Sequence, residues 1–218
     1  HLLEAATEDI DYEDGNFFVK GSPDQSKSIQ DIALMANVAW DMPEGMEPGL
    51  DATTFYDPPN FTYPFGTHIA VVDVDVETGH VVVRRLIAVD DAGTLVNPLL
   101  AAGQIHGGIA QGVGQALLEE FRYDEDGNPQ TTNLADYTAV STMEVPSYER
   151  SFMETLTPRN PLGAKGIGES GSIGSTAAVQ SAVIDALSPW GIRHLDMPMT
   201  PEKVWSAISA SLIQPDPV

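Results

Sequence analysis

His68-Ile69-Ala70-Val71-Val72-Asp73-Val74-Asp75-Val76 leads through Glu77-Thr78-Gly79-His80 into Val81-Val82-Val83-Arg84-Arg85-Leu86-Ile87-Ala88-Val89. The end of the first segment alternates strictly. Val72, Val74 and Val76 fall on one side, and Asp73, Asp75 and Glu77 on the other, which is the period of a half-buried strand. Thr78-Gly79 turns the chain and the second segment returns as a strand. The stretch predicts an antiparallel hairpin, 69–76 against 81–89. The three aligned acids have the chemistry to hold a hard cation, but a solvated strand face is the better reading.

Downstream, Asp90-Asp91-Ala92-Gly93-Thr94-Leu95-Val96-Asn97-Pro98 reads as a loop, with Pro98 where a helix begins. A helix over 99–121 follows, interrupted by Gly107, Gly108, Gly112 and Gly114. Each glycine in a helix interior costs about 1 kcal/mol against alanine. Such a helix needs close backbone approach, to another element or to a ligand. Asp124-Glu125-Asp126-Gly127-Asn128 is a turn. It looks like a calcium loop, but its glycine is misplaced and no Glu stands at the twelfth position. A strand over 151–156, a helix over 174–187 and a short strand over 192–196 come next. A last helix starts at Pro201 under a Thr200 cap. Upstream, Asp14-Gly15 between two short apolar runs signals a second hairpin, and Ser28 caps a helix over 29–36. Five prolines between Met42 and Pro64 mark a long loop. Strands and helices mix without regular βαβ order, so the fold class is α+β, with mixed sheets and packed helices.

The chemistry concentrates in Asn160-Pro161-Leu162-Gly163-Ala164-Lys165-Gly166-Ile167-Gly168-Glu169-Ser170-Gly171, just ahead of the 174–187 helix. Glycine-rich backbone in front of a helix N-terminus suits an anion. Glu169 does not, because it would repel one, and it reads instead as a base held beside a bound group. Gly166 to Gly171 formally matches G-x-G-x-x-G. No apolar strand precedes it and no acid follows about 20 residues on, which disfavours a dinucleotide site. A purely structural glycine loop is the bland alternative. Gln104 can read a heterocycle edge or an oxo group, or be an ordinary helix glutamine. Lys165 can contact phosphate or be solvated. His106 has no second ligand at metal spacing, and His1, His68, His80 and His194 stand isolated.

Composition narrows the classes. The 218 residues carry 32 acids against 10 bases, a formal charge of −22, and no cysteine. Nucleic acid and anionic membrane need a basic surface and are excluded as partners. No disulfide, iron–sulfur cluster or thiolate metal site can be built from this chain alone. No apolar run reaches membrane-spanning length. The acidity fits either a salt-adapted surface or a fragment whose basic partner lies elsewhere. His1-Leu2-Leu3-Glu4-Ala5-Ala6 reads as the end of a helix already under way. The chain is therefore expected to start inside a longer polypeptide.

Three segments in order, Asp90-Asp91-Ala92-Gly93 with Asn97-Pro98, Gly103-Gln104-Ile105-His106-Gly107-Gly108 with Gln111-Gly112, and Gly163-Ala164-Lys165-Gly166-Ile167-Gly168-Glu169, carry a resemblance. With the tail Asp196-Met197-Pro198-Met199-Thr200-Pro201-Glu202-Lys203-Val204-Trp205, they resemble the molybdenum-binding large subunit of the xanthine dehydrogenase/aldehyde oxidoreductase family. Within it, the carbon monoxide dehydrogenase large-subunit type is nearest. The resemblance implies a molybdopterin cofactor in its cytosine dinucleotide form, with the metal held by the pterin dithiolene and by no protein ligand. It implies Glu169 as catalytic base and Gln104 near the molybdenum. Lys165, Gly166, Gly168, Asp91, Gly93, Asn97, Gly107, Gly108 and Gln111 complete the implied cofactor-binding set. It divides the chain into an N-terminal segment, 1–66, and a molybdopterin-binding C-terminal domain, 67–218. The implied activity is oxidation of a small substrate (aldehyde, N-heterocycle or CO) with water-derived oxygen, copper entering only with CO. The rest of the large subunit, an iron–sulfur (2Fe-2S) subunit and an FAD subunit are the expected partners, in the cytoplasm, and this chain alone is expected to be inactive. The competing class is a non-catalytic glycine-loop module that binds a nucleotide or cofactor, or serves structure only.

Overall fold

The computed structural model describes residues 1–213. They form two compact units, His1–Asp57 and Pro58 onward. The division falls within the proline-rich segment, where 42–64 contains no helix or strand.

In the first unit, β1 (Ile10–Glu13) and β2 (Asn16–Val19) form the expected hairpin. Asp14 and Gly15 both take left-handed φ, 47° and 82°, as a two-residue turn matched to strand twist requires. A third strand, β3 (Ser22–Ser28), pairs with β2. Its sequence, Ser-Pro-Asp-Gln-Ser-Lys-Ser, has no apolar alternation, so only backbone pairing reveals it. Ser28 Oγ accepts from Asp31 N at 3.1 Å and starts α1 (Ile29–Val38). The first six residues are not helical. They turn, and Glu4 at φ 49° is incompatible with a continuing helix.

In the second unit, β4 (Phe65–Val74) and β5 (Val81–Asp91) pair antiparallel, with a register shift between Val71 and Val72. Val72 and Val74 are half-buried, whereas Val76 lies in the turn and is exposed. Gly79 at the tip has φ 73°, and a Cβ there would lie 2.7 Å from Trp205 N. β5 runs two residues beyond the sequence expectation, so Asp90 and Asp91 are strand residues. β6 (Tyr148–Met153) lies parallel to β5 on its other side. One βαβ connection therefore exists, through α2 (Pro98–Leu117). β6 begins three residues before its expected start because Tyr148 pairs with Leu86.

α2 and α3 (Ser170–Ala186) pack together and on the sheet. Ile105, Ile109 and Val113 of α2 and Val179 and Val183 of α3 are fully buried with Leu86 and Ala88 of β5. The four-residue spacing puts each set on one helical face. α3 starts four residues earlier than its apolar pattern indicates. Gly171 and Gly174 depress local helix propensity, but each sits where a Cβ does not fit. At Gly171 it would be 2.6 Å from Ile105 O, and at Gly174 it would be 2.6 Å from the His68 ring. The expected strand 192–196 is coil, held by Gln180 Nε2 donating to Leu195 O at 3.3 Å rather than by a ladder. α4 (Pro201–Ile213) closes the core through Val204 and Ile208. Among the described residues no helix is long and apolar enough to cross a membrane.

The glycines of α2 separate into two kinds. A Cβ on Gly112 would lie 2.9 Å from Thr176 N, whereas Gly107 has nothing within 4 Å. G112A is expected to lower unfolding stability by about 1–3 kcal/mol. G107A is expected to raise it by up to about 1 kcal/mol. Urea midpoints of the two variants check both signs; equal effects would remove the packing explanation.

Candidate active site

The loop after β5 and the glycine loop are joined strand to strand. Gly93 and Ala164 form an antiparallel bridge. Lys165 N donates to Ala92 O at 2.8 Å, and Thr94 N to Gly163 O at 3.3 Å. Asn160 holds the turn, its Nδ2 donating to Ala164 O at 2.8 Å and its Oδ1 accepting from Ala164 N at 3.2 Å. Gly93 has φ 62°, and a Cβ there would collide with Gly163 O. This glycine is required by backbone contact.

Lys165 closes the joint. Its Nζ lies 2.9 Å from Asp91 Oδ1 and 4.5 Å from the Phe65 ring centroid, and its side chain is 9% exposed. The ammonium is thus committed inside the protein and is not presented to solvent. Gly93 N donates to the same Asp91 oxygen at 2.9 Å. Burial opposes the Asp91 charge, but Thr155, the Gly93 N–H and Lys165 outweigh it and hold the carboxyl well below the usual carboxylate range. Thr155 lies near the carboxylate without closing a bond on Oδ2, which is buried and without a partner.

Beyond the joint, Gly166, Gly168 and Glu169 are exposed. Glu169 is the N-cap residue of α3, and its side chain makes no capping hydrogen bond. Its carboxylate is therefore not consumed by the helix. Gln104 on α2 is at the same place: a Cβ on Gly168 would be 3.6 Å from Gln104 Nε2. The two helices touch one turn further on, where a Cβ on Gly108 would lie 2.9 Å from Gly171 Cα. That contact brings Gln104 of α2 to the chain at Gly168, just before the start of α3.

The structure sorts the remaining sequence candidates. Asn97 caps α2, its Oδ1 accepting from Leu99 N and Leu100 N at 3.1 Å each. Gly108 serves helix packing. Gly107 faces open space beside Gln104. Gln111 lies two turns along α2, its Nε2 donating to Glu119 Oε2 at 3.0 Å, and Tyr137 Oη donates to the same oxygen at 2.6 Å. His106 accepts at Nε2 from Arg150 Nε at 3.2 Å and packs on Tyr148. His68 is not isolated. It lies under α3 against Asp90 and Ser170, a network that the sequence reading missed. The available signal was its place in the alternation, two residues before Ala70 on the inward face of β4. Among the described residues there is no cluster of three or more His, Asp or Glu fit to hold a metal ion.

A family model described as the molybdopterin cofactor-binding domain matches residues 1–146. The chain belongs to the molybdopterin cofactor-binding domain family. It is 43% identical over 208 residues to the carbon monoxide dehydrogenase large chain of Hydrogenophaga pseudoflava, covering 95% of this chain and 26% of the relative. It is 42% identical over 208 residues to the nicotine 6-hydroxylase large subunit of Paenarthrobacter nicotinovorans, covering 94% and 25%. The solved quinoline 2-oxidoreductase of Pseudomonas putida 86 superposes with a TM-score of 0.84 at 41% identity, over 95% of this chain and 27% of that one. The likeness to these relatives covers nearly the whole chain, including the glycine loop beyond the family model's match. The chain spans about a quarter of the length of the relatives it matches. Its site fits such a cofactor: Gly107, Gly166 and Gly168 leave backbone without Cβ atoms at one end of the helix pair. The 17-residue α3 directs its N-terminus there.

Removing Lys165 leaves a buried Asp91 charge uncompensated. K165M is expected to cost about 2–4 kcal/mol at pH 7. The folded-state pKa of Asp91 lies below its unfolded value of about 3.9, so its stabilising contribution is present above about pH 4 and is lost as pH falls. The K165M deficit should therefore shrink on acidification. Denaturant unfolding at pH 7 and at about pH 3, below the unfolded-state value, measures this, and a pH-independent deficit would refute it.

Proposed function

We propose that the chain is the C-terminal portion of a molybdenum hydroxylase large subunit, with Glu169 as base. The whole enzyme oxidises a small substrate with water-derived oxygen. The observation that carries this reading is the approach of the Gln104 amide to Gly168, the residue before a Glu169 carboxylate that makes no capping bond to α3. Bound molybdopterin, as the cytosine dinucleotide, supplies a metal that accepts two electrons.

The chain's own residues do the rest. Glu169 takes the proton of the oxygen nucleophile, which requires an approach of about 2.6–3.2 Å. Gln104 donates to or accepts from a polar group held beside it. Gly107, Gly166 and Gly168 admit a flat ring system against backbone, with Gly93, Asp91 and Lys165 fixing the loop behind them. The helix dipole at α3 favours negative charge at that place. Asn97 and Gly108 act through α2, and Gln111 is bonded to Glu119 two turns from Gln104.

Substrates of the relatives' classes, CO, an aldehyde or an N-heterocycle, suit this chemistry, and copper enters only with CO. Electrons leave to an iron–sulfur subunit carrying 2Fe-2S clusters and a subunit carrying FAD, in the cytoplasm. This chain has no cysteine with which to bind such a cluster. The remainder of the large subunit supplies the other wall of the site.

In the complete enzyme, E169Q should keep full molybdenum content and lose turnover by about 10²–10⁴-fold. Wild-type turnover at full occupancy would exclude Glu169 as base. The 218-residue chain purified alone should hold far less than one molybdenum per chain by mass spectrometry and reduce no acceptor dye with CO or an aldehyde. Stoichiometric metal with dye reduction would show a self-sufficient catalytic unit.

A further inference from the structure

A buried polar network lies under the N-terminus of α3 and ends one residue from Glu169. His68 of β4 and Asp90 of β5 have side chains 2% and 1% exposed. His68 Nε2 lies 3.2 Å from both Asp90 oxygens. Ser170 Oγ, itself buried, donates a short hydrogen bond to Asp90 Oδ1. Asp90 thus stands between serine and histidine. In a nucleophilic triad the imidazole takes the middle place and accepts the serine proton. Here the serine hydroxyl donates to a carboxylate and is buried, so the network reads as a brace rather than as a nucleophile.

The brace is costly. His68 Nδ1 is buried with no partner, a penalty in either protonation state of the ring. The ring also excludes any side chain at position 174 of α3. An apolar residue at position 68 would avoid the penalty, which indicates that the ring serves the position of α3. The helix needs such a tie, because Glu169 spends no side-chain bond on capping it.

We propose that His68, Asp90 and Ser170 are positioning residues that anchor the first turn of α3 to the sheet and thereby aim the Glu169 carboxylate. This rests on the reading of Glu169 as base. Ser170 is bonded covalently to Glu169 and fixed by Asp90, so loss of its hydroxyl frees the helix start and with it the carboxylate. The charged and titratable groups near the network are Asp91 and Lys165 in the adjoining joint, Glu169 itself, and Arg150 of β6 with His106 of α2, while α2 also contributes the uncharged Gln104.

The test uses the complete enzyme with S170A, S170T, D90N and E169Q. S170A should lower kcat about tenfold or more with KM within about twofold and molybdenum content retained. Amide exchange, read by mass spectrometry on peptides covering 166–175, should accelerate. S170T, which keeps the hydroxyl, should restore at least half of kcat. D90N keeps the shape but weakens the acceptor that holds Ser170, so it should also lower kcat and accelerate exchange over 166–175. S170A with wild-type kcat and wild-type exchange, in an enzyme where E169Q is inactive, would overturn the positioning role. If S170A fails to assemble, D90N with wild-type kcat and wild-type exchange over 166–175 overturns it instead. An active E169Q enzyme would instead remove the underlying assignment of the base.

Discussion

Where α2 crosses α3, backbone meets backbone. A Cβ on Gly108 would lie 2.9 Å from Gly171 Cα, and one on Gly171 would lie 2.6 Å from Ile105 O. The contact is possible only because both helices carry glycine there, at a cost in helix propensity that packing offsets. From it follow the burial of Ile105, Ile109, Val179 and Val183 against β5 and the joint placement of Gln104 and Glu169. A side chain at either glycine would separate the helices and pull the two polar groups apart.

Adjacent acids at the end of β5 carry the next level of order. Asp90 and Asp91 face opposite sides of the sheet, as successive strand residues must. One binds His68 and Ser170 beneath α3, and the other binds Lys165 and Gly93 in the loop. For Asp90, as for Asp91, burial opposes ionisation and local hydrogen bonds outweigh it, so the carboxyl lies below its ordinary value. Two buried carboxylates thus tie the glycine loop and the helix start to the same strand. Glu169 lies between these ties, exposed and without a capping bond.

Much of this was legible before any coordinates. The β4–β5 hairpin follows from alternation and a Thr-Gly turn, and the starts of α1, α2 and α4 from their Ser28, Pro98 and Thr200-Pro201 signals. The errors share a cause. β3 is polar and shows only in its hydrogen bonds, α3's first turn is hidden by glycines, and His68 was dismissed because its partners lie 22 and 102 positions away in the sequence.

The sequence by itself determined the periodic elements, the α+β class and the residue types available for proton transfer, because these depend on neighbours within a turn or a strand. Only the tertiary structure decided which glycines serve packing and which face open space, that Lys165 is committed to Asp91, and that Gln104 comes up against Gly168. Those outcomes depend on contacts between segments more than 60 residues apart, whose geometry is set by how α2, α3 and β5 close on one core.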